Sequence, residues 1–561
     1  MRGIISVLAA TAALATPGHA EDVGAYLAGR SAAQNGDFEA AASYYISALA
    51  EDQGRADLAT EALTAFVQLG AFDRALPLAE RVEPGTGLPA LVRTVALAET
   101  GDWGEILTRL DAGLTIAPLP DALTRAWALV GAGRMREALA AFDAMAADRA
   151  GDEGRAGFAL YNKALALAMA GDLEGAEAIF TLPPAEGLPL TRRGVLAHAV
   201  LLGQMGRGEE GAALIRRIFG ERADAGMTAL AADLAAGRIT RPLVPDAAAG
   251  LAEVYYSLSA AMSGREVPDP RQLIYARAAL WLAPEHFEAM LLAARACEAL
   301  GRPDLATAIL QGVAEGSPDH LAAEMTRAAT LRRTGAPDEA ARVLAALAAA
   351  HPARADLQAS LGDSLRELAR YPEAVEAYGR ALQLYADGAP MTWVIHYTRG
   401  ISRQEAGNWP GAEADFRRAL ELNPGQPRVL NHLGYALVTR GESLDEALAM
   451  VRLAVAAEPE NAAIIDSLGW ALYRLGRVAE AVPHLERAVE IEAGSPVINE
   501  HLGDAYWQVG RREEARFQWR RALSFEPEAA MAARLEQKLA SGLVEIPGDS
   551  AALEPAVANG G

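Results

Sequence analysis

Apolar residues recur at spacings of three and four along most of the chain, with polar residues between them. In "LNHLGYALVTRG", for example, Leu430, Leu433 and Leu437 follow this spacing. Such a pattern predicts amphipathic helices that bury one face. No stretch alternates apolar and polar residues with the β-branched content of a strand. The pattern therefore predicts an all-α protein, and a content of 51% apolar but only 6% aromatic residues suits closely packed helices.

The helical pattern repeats with a nearly fixed period. Gly434, Gly469 and Gly503 lie 35 and 34 residues apart, and Gly400 lies 34 residues before Gly434. Gly362, Ala328, Ala294 and Ala260 continue the series towards the N-terminus. A period of this size is typical of a stacked array, because one repeat cannot bury its apolar face alone.

Three landmarks recur inside each repeat, and each has a physical reason. The small residue of the series, together with a later alanine such as Ala481, is expected where two paired helices cross. A glycine such as Gly441 or Gly476 suits the left-handed turn between the helices. A proline such as Pro459 ends the second helix, because proline has no N–H to donate.

These landmarks resemble the tetratricopeptide repeat, clearly over residues 255–540 and more weakly over 25–220. The resemblance implies a right-handed superhelical solenoid of about thirteen helix-turn-helix repeats. "PEAAMAARLEQKLASGL" is expected to form the polar-faced helix that caps the array. The register fails between the two arrays, where Pro242 and Pro245 interrupt any helix. We therefore expect an N-terminal array over 21–222, an irregular junction over 223–250, a C-terminal array with its capping helix over 251–540 and a disordered tail over 541–561.

The N-terminus has the pattern of a secretory signal peptide over residues 1–20. Arg2 precedes an apolar run from Ile4 to Ala15, and Gly18 and Ala20 are small where a signal peptidase needs small residues. The apolar run is too short to span a bilayer. No cysteine lies near the cleavage site, so lipid anchoring is not expected. These features predict a soluble periplasmic protein without a transmembrane segment.

Charge and motif content argue against several functions. The net charge of −22 argues against nucleic-acid binding. Arginine pairs such as Arg192–Arg193 are interpreted as solvated helix faces beside acidic residues. Cys297, the only cysteine, is interpreted as a buried structural thiol. No catalytic, metal-binding or cofactor-binding motif is found, so we expect neither enzymatic activity nor a cofactor.

The resemblance also implies a binding groove lined by the first helix of each repeat. Carried onto this sequence, the groove positions of the last four repeats hold aromatic, amide and charged side chains, a mixture that peptide grooves commonly use. The predicted groove residues are Tyr397, Gln404, Asn431, Tyr435, Asp466, Trp470, Tyr473, Arg474, Glu500, His501, Asp504, Trp507 and Gln508. Packing between neighbouring helices is the alternative interpretation for Trp470 and Trp507.

The predicted function is therefore that of a scaffold that binds a protein or peptide in its groove. Residues 390–530 also resemble bacterial envelope repeat proteins, one of which is a lipoprotein that recruits a carboxy-terminal processing protease to its substrates. This resemblance implies an adaptor that presents substrates to an envelope protease. An assembly factor for a pilus or secretion system is an alternative. An enzyme with the repeats as a targeting arm is disfavoured, because no segment of domain size lies outside the arrays.

Overall fold

The computed structural model describes residues 17–543 except for 83–84, 148–152, 184–187, 189–190, 221–222, 224, 239–241, 265–268, 387 and 390–391. Its described residues contain helices and turns and no β-strand, which confirms the predicted all-α repeat fold. The helices are α1 (Pro17–Gln34), α2 (Phe38–Glu51), α3 (Ala56–Leu69), α4 (Phe72–Arg81), α5 (Leu88–Thr100), α6 (Trp103–Asp111), α7 (Pro118–Gly131), α8 (Met135–Ala147), α9 (Glu153–Ala170), α10 (Leu173–Phe180), α11 (Arg192–Gln204), α12 (Gly208–Phe219), α13 (Ala225–Ala235), α14 (Ala247–Met262), α15 (Arg271–Leu282), α16 (Phe287–Ala299), α17 (Pro303–Gln311), α18 (His320–Arg333), α19 (Pro337–Ala350), α20 (Ala355–Glu367), α21 (Tyr371–Leu384), α22 (Thr392–Glu405), α23 (Trp409–Leu422), α24 (Pro427–Arg440), α25 (Leu444–Ala457), α26 (Ala462–Arg474), α27 (Val478–Ile491), α28 (Pro496–Gln508), α29 (Arg512–Ser524) and α30 (Ala529–Ser541).

The chain forms two compact units, Met1–Val343 and Leu344–Gly561, called here the N-terminal and C-terminal units. The segment 223–250, expected to be an irregular junction, lies inside the N-terminal unit and contains helix α13 and the start of α14. The prolines that break the register, Pro242 and Pro245, lie between these two helices.

The helix-crossing landmarks of the C-terminal unit pack as the sequence predicts. A Cβ atom added to Gly434 would lie 2.7 Å from Val451 Cγ2, and one added to Gly469 would lie 2.5 Å from Leu485 Cγ. At Gly503 it would lie 2.5 Å from Trp519 Cδ1. The first helix of each repeat can therefore approach the second only because these positions carry no side chain.

Local signals set the helix ends. Gly441 and Gly476 have φ angles of 72° and 74°, the left-handed conformation predicted for the turns. Helix α25 ends at Ala457, two residues before Pro459. Asn461 then caps α26 by accepting a hydrogen bond from the backbone N–H of Ile464. The expected capping helix is α30, which buries Met531 and Leu535.

In the N-terminal unit, α14 and α15 pack across the first helices of earlier repeats. Helix α14 contacts α5, α7 and α9, and α15 contacts α3 and α5. The approach is close: a Cβ atom on Gly250 of α14 would lie 2.3 Å from Cζ3 of Trp127, a fully buried residue of α7. Leu251 and Tyr255 of α14 are also fully buried. The first-helix surface of this array is thus part of the protein's own core.

Parts of two predicted segments lie outside the described residues. Of the predicted signal peptide, residues 1–16 lie outside, while 17–20 belong to α1. Of the predicted tail, 544–561 lie outside. None of the helices in the part of the chain that is described is both long and apolar enough to cross a membrane.

Candidate functional site

The first helices of the C-terminal unit, α20, α22, α24, α26 and α28, form the surface that we call the first-helix face. Helix α26 contacts both α24 and α28, so these helices lie side by side. All thirteen predicted groove residues belong to α22, α24, α26 or α28. Among the described residues of this unit, no helix packs across α22, α24 and α26 as α14 and α15 do in the N-terminal unit.

Five of the thirteen residues are buried, and they lie towards the C-terminal end of the face. The exposed fractions are 5% for Asp466, 9% for Trp470, 5% for Glu500, 7% for His501 and 4% for Asp504. These side chains have little surface to offer a ligand. The other eight are at least partly exposed: Tyr397, Gln404, Asn431, Tyr435, Tyr473, Arg474, Trp507 and Gln508.

His501 lies at the centre of the buried group. Its Nδ1 atom is 2.9 Å from Asp466 Oδ2, and its ring stacks on Trp470 with the centroids 4.1 Å apart. Burial lowers the pKa of His501, but the charges of Asp466, Glu500 and Asp504 outweigh burial and raise it above its usual value. His501 therefore binds α28 to α26, and Trp470 packs between neighbouring helices, as the alternative interpretation proposed.

The two buried carboxylates of α28 are paired with the capping helix. Lys538 Nζ lies 2.7 Å from Glu500 Oε1 and 2.7 Å from Asp504 Oδ2, and Arg534 donates to Glu500 over 3.2 Å. Trp519 Nε1 also donates to Asp504 over 2.9 Å. Lys538 and Arg534 belong to α30, so this helix covers the part of the face that belongs to α28.

The accessible part of the face is centred on α24 and the end of α26. Tyr435, Tyr473 and Arg474 are partly exposed there. Arg474 Nη2 lies 3.5 Å from the carbonyl oxygen of Thr439, and Oδ1 of Asn431 has no hydrogen-bond donor among the described residues. Burial raises the pKa of both Tyr435 and Tyr473 to about 12, so their phenols stay neutral at physiological pH and can donate a hydrogen bond.

The start of the face is more fully engaged with its own chain. His432 Nε2 lies 3.3 Å from Gln404 Oε1, and the His432 ring packs against Tyr397 and Phe416 with centroid distances of 5.8 and 4.9 Å. Burial lowers the pKa of His432 to about 4, so the imidazole is neutral at physiological pH. Gln404 therefore positions His432, while the partly exposed edge of Tyr397 faces outward.

The N-terminal unit contains a buried ionic cluster that the sequence analysis missed. Arg193 of α11 donates from Nε to Glu253 Oε1 of α14 over 2.9 Å and from Nη1 to Glu288 Oε2 of α16 over 2.9 Å. Tyr161 of α9 donates to Glu253 Oε2 over 3.1 Å, and His286 Nε2 lies 3.3 Å from Glu253 Oε1. Burial raises the pKa of Glu253, but the charges of Arg193 and His286 outweigh it and hold this pKa well below its usual value.

This cluster corrects the interpretation of Arg192–Arg193 as a solvated pair. The Arg193 side chain is only 13% exposed and joins helices from three parts of the chain. Its carboxylate partners lie 60 and 95 residues away, so no local sequence pattern could identify them. The available signal was an acidic residue, Glu253, inside the otherwise apolar stretch "AAAGLAEVYYSLSAAM".

Two further observations concern chemistry. The part of the chain that the structure describes contains no group of three or more His, Cys, Asp or Glu side chains that could hold a metal ion. Cys297 is fully buried, as predicted, and burial raises the pKa of its thiol to about 11. A thiol with that pKa is protonated at physiological pH and is a poor nucleophile.

Comparison with protein families identifies the repeat. A family model described as tetratricopeptide repeat matches residues 26–89, 123–186, 325–389 and 397–462, and a second model with the same description matches 461–491. The TPR repeat-containing protein PA4667 of Pseudomonas aeruginosa is 33% identical over 94 residues, which are 17% of this chain. The chain thus spans 16% of the length of that curated relative.

Solved structures are similar over most of the chain at low sequence identity. The APC/C hetero-tetramer Cut9-Hcn1 is 13% identical, with 92% of this chain and 96% of that chain covered and a TM-score of 0.37. Yeast Tom70 is also 13% identical, with 93% and 96% covered and a TM-score of 0.33.

Proposed function

This chain belongs to the tetratricopeptide-repeat family, and from that premise we propose that it is a non-catalytic scaffold whose C-terminal unit binds a segment of another protein on the first-helix face. The observation that carries this proposal is the partly exposed group of Tyr435, Tyr473 and Arg474, which no helix packs across in the described part of this unit. Tyrosine and arginine are the residue types that contribute most to protein interfaces, because they combine contact area with hydrogen bonding.

The N-terminal unit supports this assignment by contrast. Its first helices are occupied by α14 and α15 of the same chain. A partner that needs a first-helix surface therefore has more of it available on the C-terminal unit. The buried ionic cluster around Glu253 then serves to hold α14 in place.

We place this scaffold in the periplasm, where it would present substrates to an envelope protease. The location is supported by the signal-peptide pattern of residues 1–20, and the adaptor role by the resemblance of residues 390–530 to envelope repeat proteins. The location is tested by the first residue of the protein recovered from cells. We expect Glu21; a protein that retains Met1 would contradict export and the adaptor role that depends on it.

Binding is tested by photo-crosslinking in cells. A photoreactive phenylalanine analogue replaces Tyr435 in one variant and Tyr473 in another, and Leu453, an exposed residue of α25, in the control. We expect both variants on the first-helix face to crosslink the same protein and the Leu453 variant not to crosslink it. Equal crosslinking from Leu453, or none from Tyr435 and Tyr473, would contradict the assignment of the face.

A further inference from the structure

We infer that the segment bound by the first-helix face is acidic, with two carboxylate side chains separated by about four residues and an apolar or aromatic stretch between them. This inference rests on the proposed function and names the chemistry of the partner at that same site. It follows from the placement of two arginines, Arg428 at the start of α24 and Arg474 of α26, which contacts the other end of α24.

One stripe of α24 is exposed at its start and partly exposed along the rest of its length. Arg428, Asn431, Tyr435 and Thr439 are spaced by three, four and four residues, which places them on one side of a helix. Arg428 is exposed at the start of the stripe, and Arg474 from α26 reaches the carbonyl oxygen of Thr439 at its end. Thr439 lies eleven positions after Arg428, a distance of about 16 Å along the helix axis. Tyr435 lies between Arg428 and Thr439 along this stripe.

The charges on this part of the face are unbalanced, although the chain as a whole is acidic. The carboxylates of α24, α26 and α28 are Asp466, Glu500 and Asp504, and each already has a basic or imidazole partner. Arg428 and Arg474 have no carboxylate partner among the described residues, whereas Arg399 and Arg403 of α22 and Arg440 at the end of α24 do. In a chain of net charge −22, the free charge on this surface is therefore positive.

A guanidinium group binds a carboxylate through two parallel hydrogen bonds, which makes acidic side chains its best partners. An extended chain covers about 3.3–3.6 Å per residue, so two carboxylates that reach both arginines lie about five positions apart, with about four residues between them. The residues between them would lie on Tyr435 and Tyr473, whose neutral phenols can donate hydrogen bonds to peptide carbonyl groups. An acidic peptide with an aromatic or proline-containing middle fits these requirements.

The first test uses a synthetic peptide, Gly-Gly-Glu-Ala-Tyr-Pro-Tyr-Glu-Gly-Gly, labelled with fluorescein and titrated with the full chain at low salt. We expect the version with glutamine in place of both glutamates to bind at least about tenfold more weakly, because the charge-assisted bonds are lost. Arg428→Gln and Arg474→Gln should each weaken binding of the glutamate peptide about fivefold or more. Arg452→Gln, which removes an exposed arginine from α25, is the matched control and should change binding less than about twofold.

Several outcomes would overturn the inference. The glutamine peptide could bind as tightly as the glutamate peptide, or a peptide with lysines in place of the glutamates could bind more tightly. Arg452→Gln could also weaken binding of the glutamate peptide as much as Arg428→Gln and Arg474→Gln do. A synthetic peptide of residues 544–561, which contains Glu545, Asp549 and Glu554, is added as a competitor. If it displaced the probe at concentrations similar to the probe's own Kd, the chain's own C-terminal segment would be the occupant and no separate partner would be needed.

A random peptide library displayed against the immobilised full chain separates this inference from the proposed function. Enrichment of peptides with two spaced acidic residues, lost with Tyr435→Ala, supports both. Enrichment of neutral peptides that is lost with Tyr435→Ala would overturn the acidic preference and leave the binding face intact. If no enriched peptide loses binding with Tyr435→Ala, the proposed function itself would be contradicted.

Discussion

The two units use the same surface of the repeat in opposite ways. In the N-terminal unit the first helices bury α14 and α15, so Trp127 of α7 is fully buried against Gly250. In the C-terminal unit the first helices α22, α24 and α26 carry partly exposed tyrosine, amide and arginine side chains, and among its described residues no further helix packs across them. The first-helix surface can thus serve either as core or as a candidate binding face, and its side chains decide which.

The difference can be followed residue by residue. Helix α7 presents Leu123, Thr124 and Trp127 as buried residues, all small or apolar enough to pack against α14. Helix α24 presents Arg428, Asn431 and Tyr435 on its outward stripe, and burying Arg428 without a partner would be costly. The side chains of this stripe therefore carry the difference between the two helices.

The largest expected effect comes from breaking the ionic cluster that holds α14. Glu253→Gln leaves Arg193 buried beside one carboxylate instead of two, and removing one partner of a buried pair typically costs about 3–5 kcal/mol. Hydrogen exchange of peptides from α14 should rise strongly, while peptides from α24 should be unchanged. Unchanged protection of α14 would show that the cluster does not hold this helix.

Overpacking α14 against α7 should have the next largest effect. Gly250→Leu forces a side chain into Trp127 and should cost about 1–3 kcal/mol of unfolding free energy. Gly104→Leu is the matched control, because a Cβ atom at Gly104 meets no atom within 4 Å. Chemical denaturation of both variants is the measurement. If Gly104→Leu were as destabilising as Gly250→Leu, the close approach of α14 to Trp127 would not be the cause.

A similar overpacking in the C-terminal unit should act more locally. Ala481 is fully buried where α27 packs on α26, and Ala481→Leu should also cost about 1–3 kcal/mol. Contacts in this array are mainly between neighbours, so hydrogen exchange should rise in α26–α28 and little elsewhere. For Gly250→Leu it should rise in α5, α7 and α9 together, because α14 contacts all three. If hydrogen exchange rose over equally many helices in both variants, the two units would not differ in how far a packing defect spreads.

The smallest expected effect is a pH dependence at His501. Its pKa is raised in the folded protein, so its contribution to stability is fully present below its unfolded pKa of about 6.5 and is lost as the pH rises through the folded value. The last repeats should therefore be slightly less stable at pH 8.5 than at pH 6. His501→Gln should lose that difference. Hydrogen exchange of α26 and α28 at the two pH values is the measurement, and a wild-type protein more protected at pH 8.5 would contradict it.

The local parts of this fold could be predicted from the sequence. The period, the close approaches at Gly434 and Gly469 and the turn at Gly441 each depend on residues within one repeat. The capping helix α30 was predicted for the same reason. Contacts between distant residues could not be predicted in this way. The sequence does not show that Glu253 meets Arg193, or that α14 packs on α7.

In the candidate site too, local features could be predicted from the sequence and contacts between distant residues could not. Helical spacing placed Tyr435, Asp466 and Trp470 on first helices, and the structure agrees. Spacing alone could not show that Asp466 pairs with His501 on the next first helix, or that Lys538 covers Asp504. Exposure therefore separates Tyr435 from Trp470, although the two occupy equivalent positions in their repeats.

The central claim is that Tyr435 contacts a partner and contributes much less to the stability of the fold than a fully buried core residue does. The most direct measurement compares Tyr435→Ala with Phe416→Ala, a fully buried packing residue of α23, for thermal unfolding and for crosslinking from position 473. The account predicts that Phe416→Ala loses about 3–5 kcal/mol of unfolding free energy, whereas Tyr435→Ala keeps nearly wild-type stability and loses most of the crosslinked partner. A Tyr435→Ala protein that melts as early as Phe416→Ala, or one that stays folded and crosslinks at full yield, would contradict it.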